Sequence, residues 1–270
     1  NGYTIIRKGG QLGVHWHGLM YAKKHEKEFD IVIDQVNTIP FFTPLLILKR
    51  KRIAYFNQLC LNIWFYEAKF PISLIGNIFE RIYLKLYWNT RMLTISESTK
   101  SDLIKHCWAK PENIFVSEMQ IGFKPLTRVL PKKNQFVYCG RLVSSKRTDD
   151  CIHAISLIKG SKLYILGDGS IEYKKKLHEL TEKLNLKNKV VFTGRIGVKE
   201  RNKIMGESLA ILVPSVREGW GLIVTEANGC GTTAITYDVP GLRDANKTGF
   251  ICERNNYKEL AFFMDKLIRD

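Results

Sequence analysis

Short runs of apolar residues recur along the chain, and longer stretches between them place apolar residues at helical spacing. Runs of this length fit buried strands, and strands that alternate with helices are typical of parallel sheets with helices on both faces. The pattern therefore predicts an α/β fold. We expect strands at 31–33, 53–56, 92–95, 136–139, 163–166, 190–193, 210–213 and 234–237.

Apolar residues three or four positions apart predict helices at 173–184, at 260–267 and from Leu222 onward. A further helix is predicted at 71–88, where a broad apolar face follows Trp64-Phe65-Tyr66. We expect it to pack on the core. The alternative is that it enters a membrane interface beside Lys69, Arg81 and Lys85.

A stretch with two prolines and several cations, 122–134, separates the two groups of strands and predicts a domain boundary. We expect one domain at 1–126 and a second at 132–270, sizes that suit separate cores. The chain has no initiating Met and starts in Tyr3-Thr4-Ile5-Ile6, which predicts a strand. We therefore expect the N-terminal domain to be incomplete.

The chain carries a net charge of +16, and its cations are distributed over both halves. Such a surface suits anionic partners, of which lipid headgroups and nucleotide phosphates are favoured here. A solvated basic surface without a partner is the alternative. We expect peripheral contact with an anionic membrane and no nucleic-acid partner.

The six cysteines show no C-x-x-C spacing, which argues against a zinc module and a disulfide scaffold and favours reduced thiols in the cytoplasm. No stretch reaches the roughly 18 apolar residues of a membrane span; the best candidate, 39–48, is short and contains two prolines. His15 and His17 would share one face of a strand, but no carboxylate cluster accompanies them. We expect no metal.

Polar residues and glycines follow the predicted strands, at the edge where open α/β sheets bind ligands. After the strand at 210–213, Glu218 and Glu226 lie eight positions apart across Gly219-Trp220-Gly221. Glycines there would let a diphosphate reach the unpaired N–H groups of a helix that opens at Leu222. Glu218 would then meet the ligand at the turn, and Glu226, roughly two helical turns further along, would accept hydrogen bonds from sugar or ribose hydroxyls.

Gly140 and Arg141 end another predicted strand and are followed by Lys146. These cations could stabilise a departing diphosphate; the alternative is that they are ordinary surface residues. Gly167-Asp168-Gly169 either forms a loop under a nucleotide base or is a plain turn. It does not continue into a dinucleotide fingerprint because position 172 is Glu, which argues against a nicotinamide oxidoreductase.

Together these segments resemble the group 1 glycosyltransferases, family 4-type retaining enzymes that use nucleotide-sugar donors. The E-x7-E signature from Glu218 to Glu226 carries most of the resemblance, with Pro214-Ser215 before it and Gly229-Cys230-Gly231, 237–244 and 248–250 after it. The resemblance implies a GT-B fold, in which two Rossmann-like lobes with parallel sheets face each other across a cleft.

The resemblance also implies roles for single residues. Arg141 and Lys146 would bind the donor diphosphate, Glu218 would approach the donor sugar, and Glu226 would hold the ribose. The expected donor is a nucleoside diphosphate sugar, without a cofactor, and the expected acceptor is lipid-linked or a polysaccharide. The remaining expected substrate-binding residues are Gly140, Gly167, Gly169, Gly219, Trp220, Gly221, Leu222 and Asn57.

The N-terminal half resembles one branch of this family through 29–42 and 94–100, but it departs from the pattern at Asn57, where a histidine is expected. Asparagine can hydrogen-bond a sugar hydroxyl, yet it cannot carry a positive charge as histidine does. The glycine-rich acceptor-side loop and the last helices of the family are also missing. The alternative function is therefore a catalytically weak nucleotide-sugar-binding subunit that supports a partner transferase.

Overall fold

The computed structural model of the protein describes residues 2–117 and 122–269. The chain divides into two compact units between residues 119 and 120. Phe123 and Leu126, which were expected in the first domain, pack against a hydrophobic cluster of the second unit. The Leu126 N–H also donates to the Gly229 carbonyl at 3.0 Å. Apolar burial and this hydrogen bond thus extend the second unit toward the N-terminus.

The first unit is a four-stranded parallel sheet with helices between its strands. The strands lie side by side in chain order, β1-β2-β3-β4. In chain order the elements are α1 (Gly10–Lys24), β1 (Val32–Val36), β2 (Arg52–Phe56), α2 (Trp64–Glu67), α3 (Ile72–Leu84), β3 (Arg91–Thr94), α4 (Glu97–Cys107) and β4 (Ile114–Val116).

The second unit is a six-stranded parallel sheet with its own buried core. Its elements are β5 (Lys133–Cys139), α5 (Thr148–Ser156), β6 (Lys162–Leu166), α6 (Ile171–Lys183), β7 (Val190–Gly194), α7 (Val198–Glu207), β8 (Ser208–Val213), α8 (Leu222–Gly229), β9 (Thr233–Tyr237), α9 (Pro240–Ala245), β10 (Phe250–Cys252) and α10 (Tyr257–Arg269). The strands lie in the order β10-β9-β8-β5-β6-β7. Helices cover both faces, and apolar clusters fill the space between the helices and the sheet.

The predicted parallel α/β architecture is confirmed. Each of the eight strands predicted between residues 31 and 237 overlaps an observed one, and the predicted helices correspond to α3, α6, α8 and α10. The short strands β4 and β10 were missed because three apolar residues carry no period of their own. Six further helices, α1, α2, α4, α5, α7 and α9, were not predicted.

Two predictions near the N-terminus are wrong. Tyr3 to Ile6 are exposed and belong to no strand. His15 and His17 lie on helix α1 and not on a strand; His17 Nδ1 is 2.9 Å from the Gly13 carbonyl oxygen. Residues two positions apart do not share a face of a helix, so His15 and His17 do not lie side by side as they would on a strand.

A buried carboxylate, Asp34, closes the loop that follows β1. It lies inside the strand and not at its end, and it accepts hydrogen bonds from the Phe41 N–H at 3.1 Å, the Thr43 hydroxyl at 2.9 Å and the Tyr87 hydroxyl at 2.5 Å. Because these donors satisfy it, Asp34 is structural and unavailable for chemistry.

Glu80 plays the same part on helix α3. Its carboxylate is buried and accepts from the Cys60 and Leu61 N–H groups, both at 2.7 Å, and from Trp64 Nε1 at 2.9 Å. This single side chain therefore fixes the backbone between β2 and α2 against α3.

Helix α3 packs on the core through one face only. Tyr83 and Leu84 belong to the hydrophobic cluster of the first unit, whereas Ile75, Ile78 and Ile82 are exposed. The expectation of a core-packing helix is thus confirmed for the face of α3 that contains Tyr83 and Leu84. No described helix has the length and apolar character that crossing a bilayer requires. All six cysteines are free thiols.

We expect Glu80→Ala to lower the free energy of unfolding of the first unit by about 2–4 kcal/mol, because three buried N–H donors lose their acceptor. Urea titration followed by tryptophan fluorescence measures this loss. Glu112→Ala, which removes an exposed carboxylate of the same unit, is the matched control. Equal midpoints for the two variants would contradict the role assigned to Glu80.

Candidate functional site

The order of strands in the second unit changes direction between β5 and β8. From β5 the chain extends the sheet to one side through β6 and β7, and it returns to the other side of β5 for β8, β9 and β10. The loops that leave the carboxyl ends of β5 and β8 therefore diverge and leave a crevice, which is where open α/β sheets bind ligands. The described strands of the first unit lie in chain order and contain no such reversal.

An ion pair spans this crevice. Lys146, in the loop after β5, donates through Nζ to Oε1 of Glu218, which follows β8. The Ser215 hydroxyl donates to the same oxygen at 2.8 Å, and the Val216 N–H donates to the Ser145 carbonyl at 3.0 Å. Both charged side chains are mostly buried, with exposures of 20% for Lys146 and 16% for Glu218. The two loops are thus held together with one charge of each sign at the crevice.

A buried polar network supports the loop that carries Lys146. Arg147 adopts a left-handed backbone conformation with φ of 51° and donates from Nη2 to Asp150 at 2.8 Å. Asp150 is buried and accepts from the Tyr237 hydroxyl at 2.6 Å. Burial, followed by the Asp150 carboxylate, raises the pKa of Tyr237, so the hydroxyl remains a donor. Sequence reasoning missed Asp150, because an acidic residue in a first helical turn is ordinary.

The glycines after β5 and β6 bring two backbones into direct contact. The Gly140 N–H donates to the Leu166 carbonyl at 3.0 Å, and the Leu142 N–H donates to the Asp168 carbonyl at 2.9 Å. A methyl group on Gly167, which has φ of 134°, would overlap the Gly140 carbonyl oxygen, and one on Gly169 would overlap the Leu142 carbonyl oxygen. These positions require glycine for backbone packing, whether or not a ligand is bound.

The loop between Glu218 and helix α8 is shaped by helix α9. Gly221 is the residue before α8 and has φ of 97°, and Gly219 is buried. A side chain on Gly241 would overlap the Glu218 carbonyl oxygen and lie 2.8 Å from the Gly219 carbonyl carbon. Gly241 was not predicted as a site residue. Because it has no side chain, helix α9 can pack directly against the Glu218-Gly219 peptide.

The remaining predicted residues of this loop lie where strand turns into helix. Trp220 packs against a hydrophobic cluster and donates through Nε1 to the Thr225 hydroxyl at 3.1 Å, while Leu222 begins α8 and is exposed. Glu226 is the fifth residue of α8 and lies little more than one turn into the helix. Of the eight positions from Glu218 to Glu226, three form the Gly219-Trp220-Gly221 loop and five are helical, so the expected two helical turns are reduced to little more than one.

Glu226 forms an ion pair that the sequence did not indicate. Its Oε2 lies 3.0 Å from Nη2 of Arg201 on helix α7, and both side chains are largely buried. Burial raises the pKa of the neighbouring Cys139 thiol to about 11; the Glu226 charge adds to this rise and the Arg201 charge opposes it. The pair thus lies near the carboxyl end of β5, the strand that leads to Gly140 and Arg141.

Arg141 and Asn57 are the two predicted residues with the least local support. Arg141 is exposed, and its guanidinium forms no hydrogen bond or ion pair within 2–117 or 122–269. Asn57 follows β2 in the first unit, where its Nδ2 lies 3.4 Å from Asn37 Oδ1. The structure therefore leaves Arg141 open to a ligand and places Asn57 in a separate unit from the other predicted site residues.

The aspartate turn after β9 is an exposed structural ion pair. Asp238 accepts from Nε and Nη2 of Arg243, and the hydrogen bond from Arg243 holds the pKa of Asp238 below its usual value. Within the described residues, no group of three or more His, Cys, Asp and Glu side chains is arranged to hold a metal ion. Two cations, Arg141 and Lys146, follow β5 at the crevice.

The second unit of the chain matches a known protein family. The family model described as "Glycosyl transferases group 1" matches residues 125–270, which is more than half of the chain. The chain belongs to the group 1 glycosyltransferases. The matched region contains every predicted site residue except Asn57.

Two curated relatives of this group 1 chain have named roles. The O-antigen chain mannosyltransferase RfbU of Salmonella typhimurium is 25% identical over 182 residues, covering 67% of this chain and 52% of the relative. The capsular polysaccharide biosynthesis glycosyltransferase CapM of Staphylococcus aureus is 27% identical over 207 residues, covering 69% and 54%. The chain spans about half the length of the curated relatives it matches.

Solved structures support the fold of this group 1 chain. Anabaena HepE in complex with UDP and glucose superimposes with a TM-score of 0.75 and 18% identity, covering 98% of this chain and 75% of that one. At this identity the likeness shows the fold alone. It confirms the GT-B type of α/β architecture, with two parallel-sheet domains.

We expect Gly241→Ala to displace the Glu218-Gly219 peptide, because a methyl group cannot fit against the Glu218 carbonyl. The substitution should cost about 1–3 kcal/mol of stability, which thermal unfolding measures. Gly122→Ala, where a methyl group would meet open space, is the control and should not change stability.

Proposed function

We propose that this chain provides the donor-binding part of a glycosyltransferase that uses a nucleoside diphosphate sugar. The observation that carries the proposal is the Lys146–Glu218 ion pair across the crevice between β5 and β8. It brings a cation for phosphate and a carboxylate for sugar hydroxyls to the point where α/β sheets bind nucleotides. Such a site needs neither a metal nor a further cofactor, since side-chain cations take the place of a divalent ion.

The diphosphate would bind between Arg141, Lys146 and the N-terminus of α8. Arg141 is exposed and has no competing ion pair among the described residues, so its guanidinium can fork onto two phosphate oxygens. Lys146 would exchange part of its contact with Glu218 for phosphate as negative charge builds on the leaving group. The first N–H groups of α8 lie beyond Gly221 and favour an anion there. Gly219 and Gly221 would admit the diphosphate to these amides.

Glu218 would then orient the donor sugar and Glu226 the ribose. Glu226 is held by Arg201, so one carboxylate oxygen is fixed while the other can accept from a ribose hydroxyl. Gly140, Gly167 and Gly169 would form the loops beneath the nucleotide, with Trp220 and Leu222 flanking it.

The transfer we propose proceeds with retention of configuration. The bond between the anomeric carbon and the diphosphate breaks, a bond from the acceptor oxygen forms on the same face, and the departing phosphate takes the acceptor proton. This route needs no dedicated carboxylate base. The acceptor would be lipid-linked or a polysaccharide, which the named roles of RfbU and CapM favour. We place the reaction in the cytoplasm, at a membrane face that carries anionic lipid.

A second candidate function is a nucleotide-sugar-binding subunit of low activity that supports a partner transferase. Asn57 favours it, because an amide cannot supply the charge or proton of the expected histidine. Single-turnover transfer from a radiolabelled donor, measured with Asn57 and with Asn57→His, separates the two. Tight nucleotide binding without transfer in both forms would favour the subunit.

We expect Arg141→Ala and Glu226→Ala each to weaken binding of the preferred nucleotide among UDP, GDP and ADP by about tenfold, as loss of a charged hydrogen bond implies. Isothermal titration calorimetry measures the change. Arg269→Ala and Glu182→Ala are matched controls in exposed ion pairs at the C-terminal ends of α10 and α6. If neither site variant loses more than about threefold in affinity, the proposed site is wrong.

We further expect Arg201→Met to weaken nucleotide binding only while Glu226 is present. Arg201 acts in this proposal by holding the Glu226 carboxylate, so the double variant Arg201→Met with Glu226→Ala should bind as weakly as Glu226→Ala alone. Nucleotide titrations of the parent, the two single variants and the double variant complete a double-mutant cycle. Additive losses would instead indicate that Arg201 contacts the nucleotide directly.

A further inference from the structure

Helix α3 leaves a continuous row of large apolar side chains uncovered. Ile72, Ile75, Ile78 and Ile82 are between 49% and 63% exposed, and Phe79 is 44% exposed. Their spacing places them on one face of the helix, opposite the residues that enter the core. We call these five residues the α3 apolar face. A contiguous exposed apolar patch marks a surface that contacts another protein or a membrane, whereas single exposed apolar residues are ordinary.

Exposed aromatic side chains lie shortly before and shortly after helix α3 in the chain. Phe65 and Phe70 precede the helix and are 52% and 80% exposed, and Trp88 follows it at 52%. Aromatic rings and aliphatic side chains side by side are the composition that helices present to a bilayer interface.

The charges around the α3 apolar face are predominantly positive. Lys69, Arg81 and Lys85 are exposed on or beside the helix, and Lys85 Nζ lies 4.3 Å from the centre of the Trp108 ring. Of the acidic residues in 64–88, Glu67 is exposed, whereas Glu80 is buried and accepts hydrogen bonds from three N–H groups. The apolar residues are thus bordered by cations, as binding to anionic headgroups requires.

The charge pattern distinguishes between possible occupants. A second copy docked through the same surface would bring two sets of like charges together, which is unfavourable. A bilayer with anionic lipid satisfies both features at once, because acyl chains receive the isoleucines and headgroups pair with the cations. A helix of this kind lies in the plane of the interface.

We propose that the α3 apolar face docks the first unit on the surface of a bilayer that contains anionic lipid. This inference rests on exposure and charge in the first unit and is independent of the nucleotide site in the second. It gives the membrane contact a definite surface, five apolar residues bordered by Lys69, Arg81 and Lys85. Neither Glu218 nor Lys146 takes part in it.

Vesicle flotation tests the proposal with the 270-residue chain. We expect the chain to float with vesicles of phosphatidylglycerol and phosphatidylcholine in about a 3:7 ratio and to remain behind with pure phosphatidylcholine. Ile75→Glu with Ile82→Glu should reduce partitioning by about tenfold or more, because two anions replace apolar groups at the lipid contact. Ile171→Glu with Phe262→Glu, at exposed sites of the second unit, is the matched control and should float as the parent does.

A second set of variants changes only the charge. Lys69→Gln, Arg81→Gln and Lys85→Gln together should reduce binding to the anionic vesicles by at least about tenfold and weaken its dependence on salt. Lys175→Gln, Lys176→Gln and Lys183→Gln on α6 make the same change of net charge elsewhere and should have a smaller effect. These surface variants keep the test valid if glutamates on α3 disturb the folding of the first unit, which circular dichroism and urea titration followed by tryptophan fluorescence would reveal.

Three outcomes would overturn the proposal. The parent chain could fail to float, the α3 variants could float as well as their controls, or Ile75→Glu with Ile82→Glu could convert a dimer into a monomer in sedimentation. The last result would identify a second copy as the occupant.

Discussion

The candidate site depends on one constraint, the ion pair between Lys146 and Glu218 across the crevice between β5 and β8. The two residues are far apart in sequence, and each belongs to a loop that would be free to move if considered alone. Their charges, with the Val216 to Ser145 backbone hydrogen bond, set the distance between these loops. Because one charge compensates the other, a cation and a carboxylate can both lie in a partly buried crevice.

The loops around this pair are held by buried polar groups and by glycine contacts. Asp150 accepts hydrogen bonds from both Arg147, the residue after Lys146, and Tyr237. Because Gly241 has no side chain, helix α9 packs directly against the Glu218-Gly219 peptide. The first unit uses the same device at Asp34 and Glu80, whose carboxylates each satisfy several N–H or O–H donors. In both units a buried acid therefore organises an irregular segment that apolar packing alone would leave undefined.

The two units carry different kinds of surface. The second unit contains the strand reversal, the cations and the glycine loops, and it is the region that matches the group 1 family model. The first unit carries Asn57 at the polar end of β2 and the exposed α3 apolar face. The two proposals therefore concern separate parts of the chain, donor binding in the second unit and membrane contact in the first.

The apolar pattern determined the α/β class and eight of the ten strands, because burial between helices leaves a strong signal in short runs. The glycines and Glu218 and Glu226 were also visible, because strand ends followed by such residues are distinctive. The sequence could not indicate Arg201, Asp150 or Gly241, since each acts through a partner distant in the chain. Nor could it decide which face of α3 is exposed. Those features follow from the order of the strands and from how the helices pack on the sheet. Only the tertiary structure sets these, because contacts between residues distant in the chain leave no periodic pattern in the local sequence.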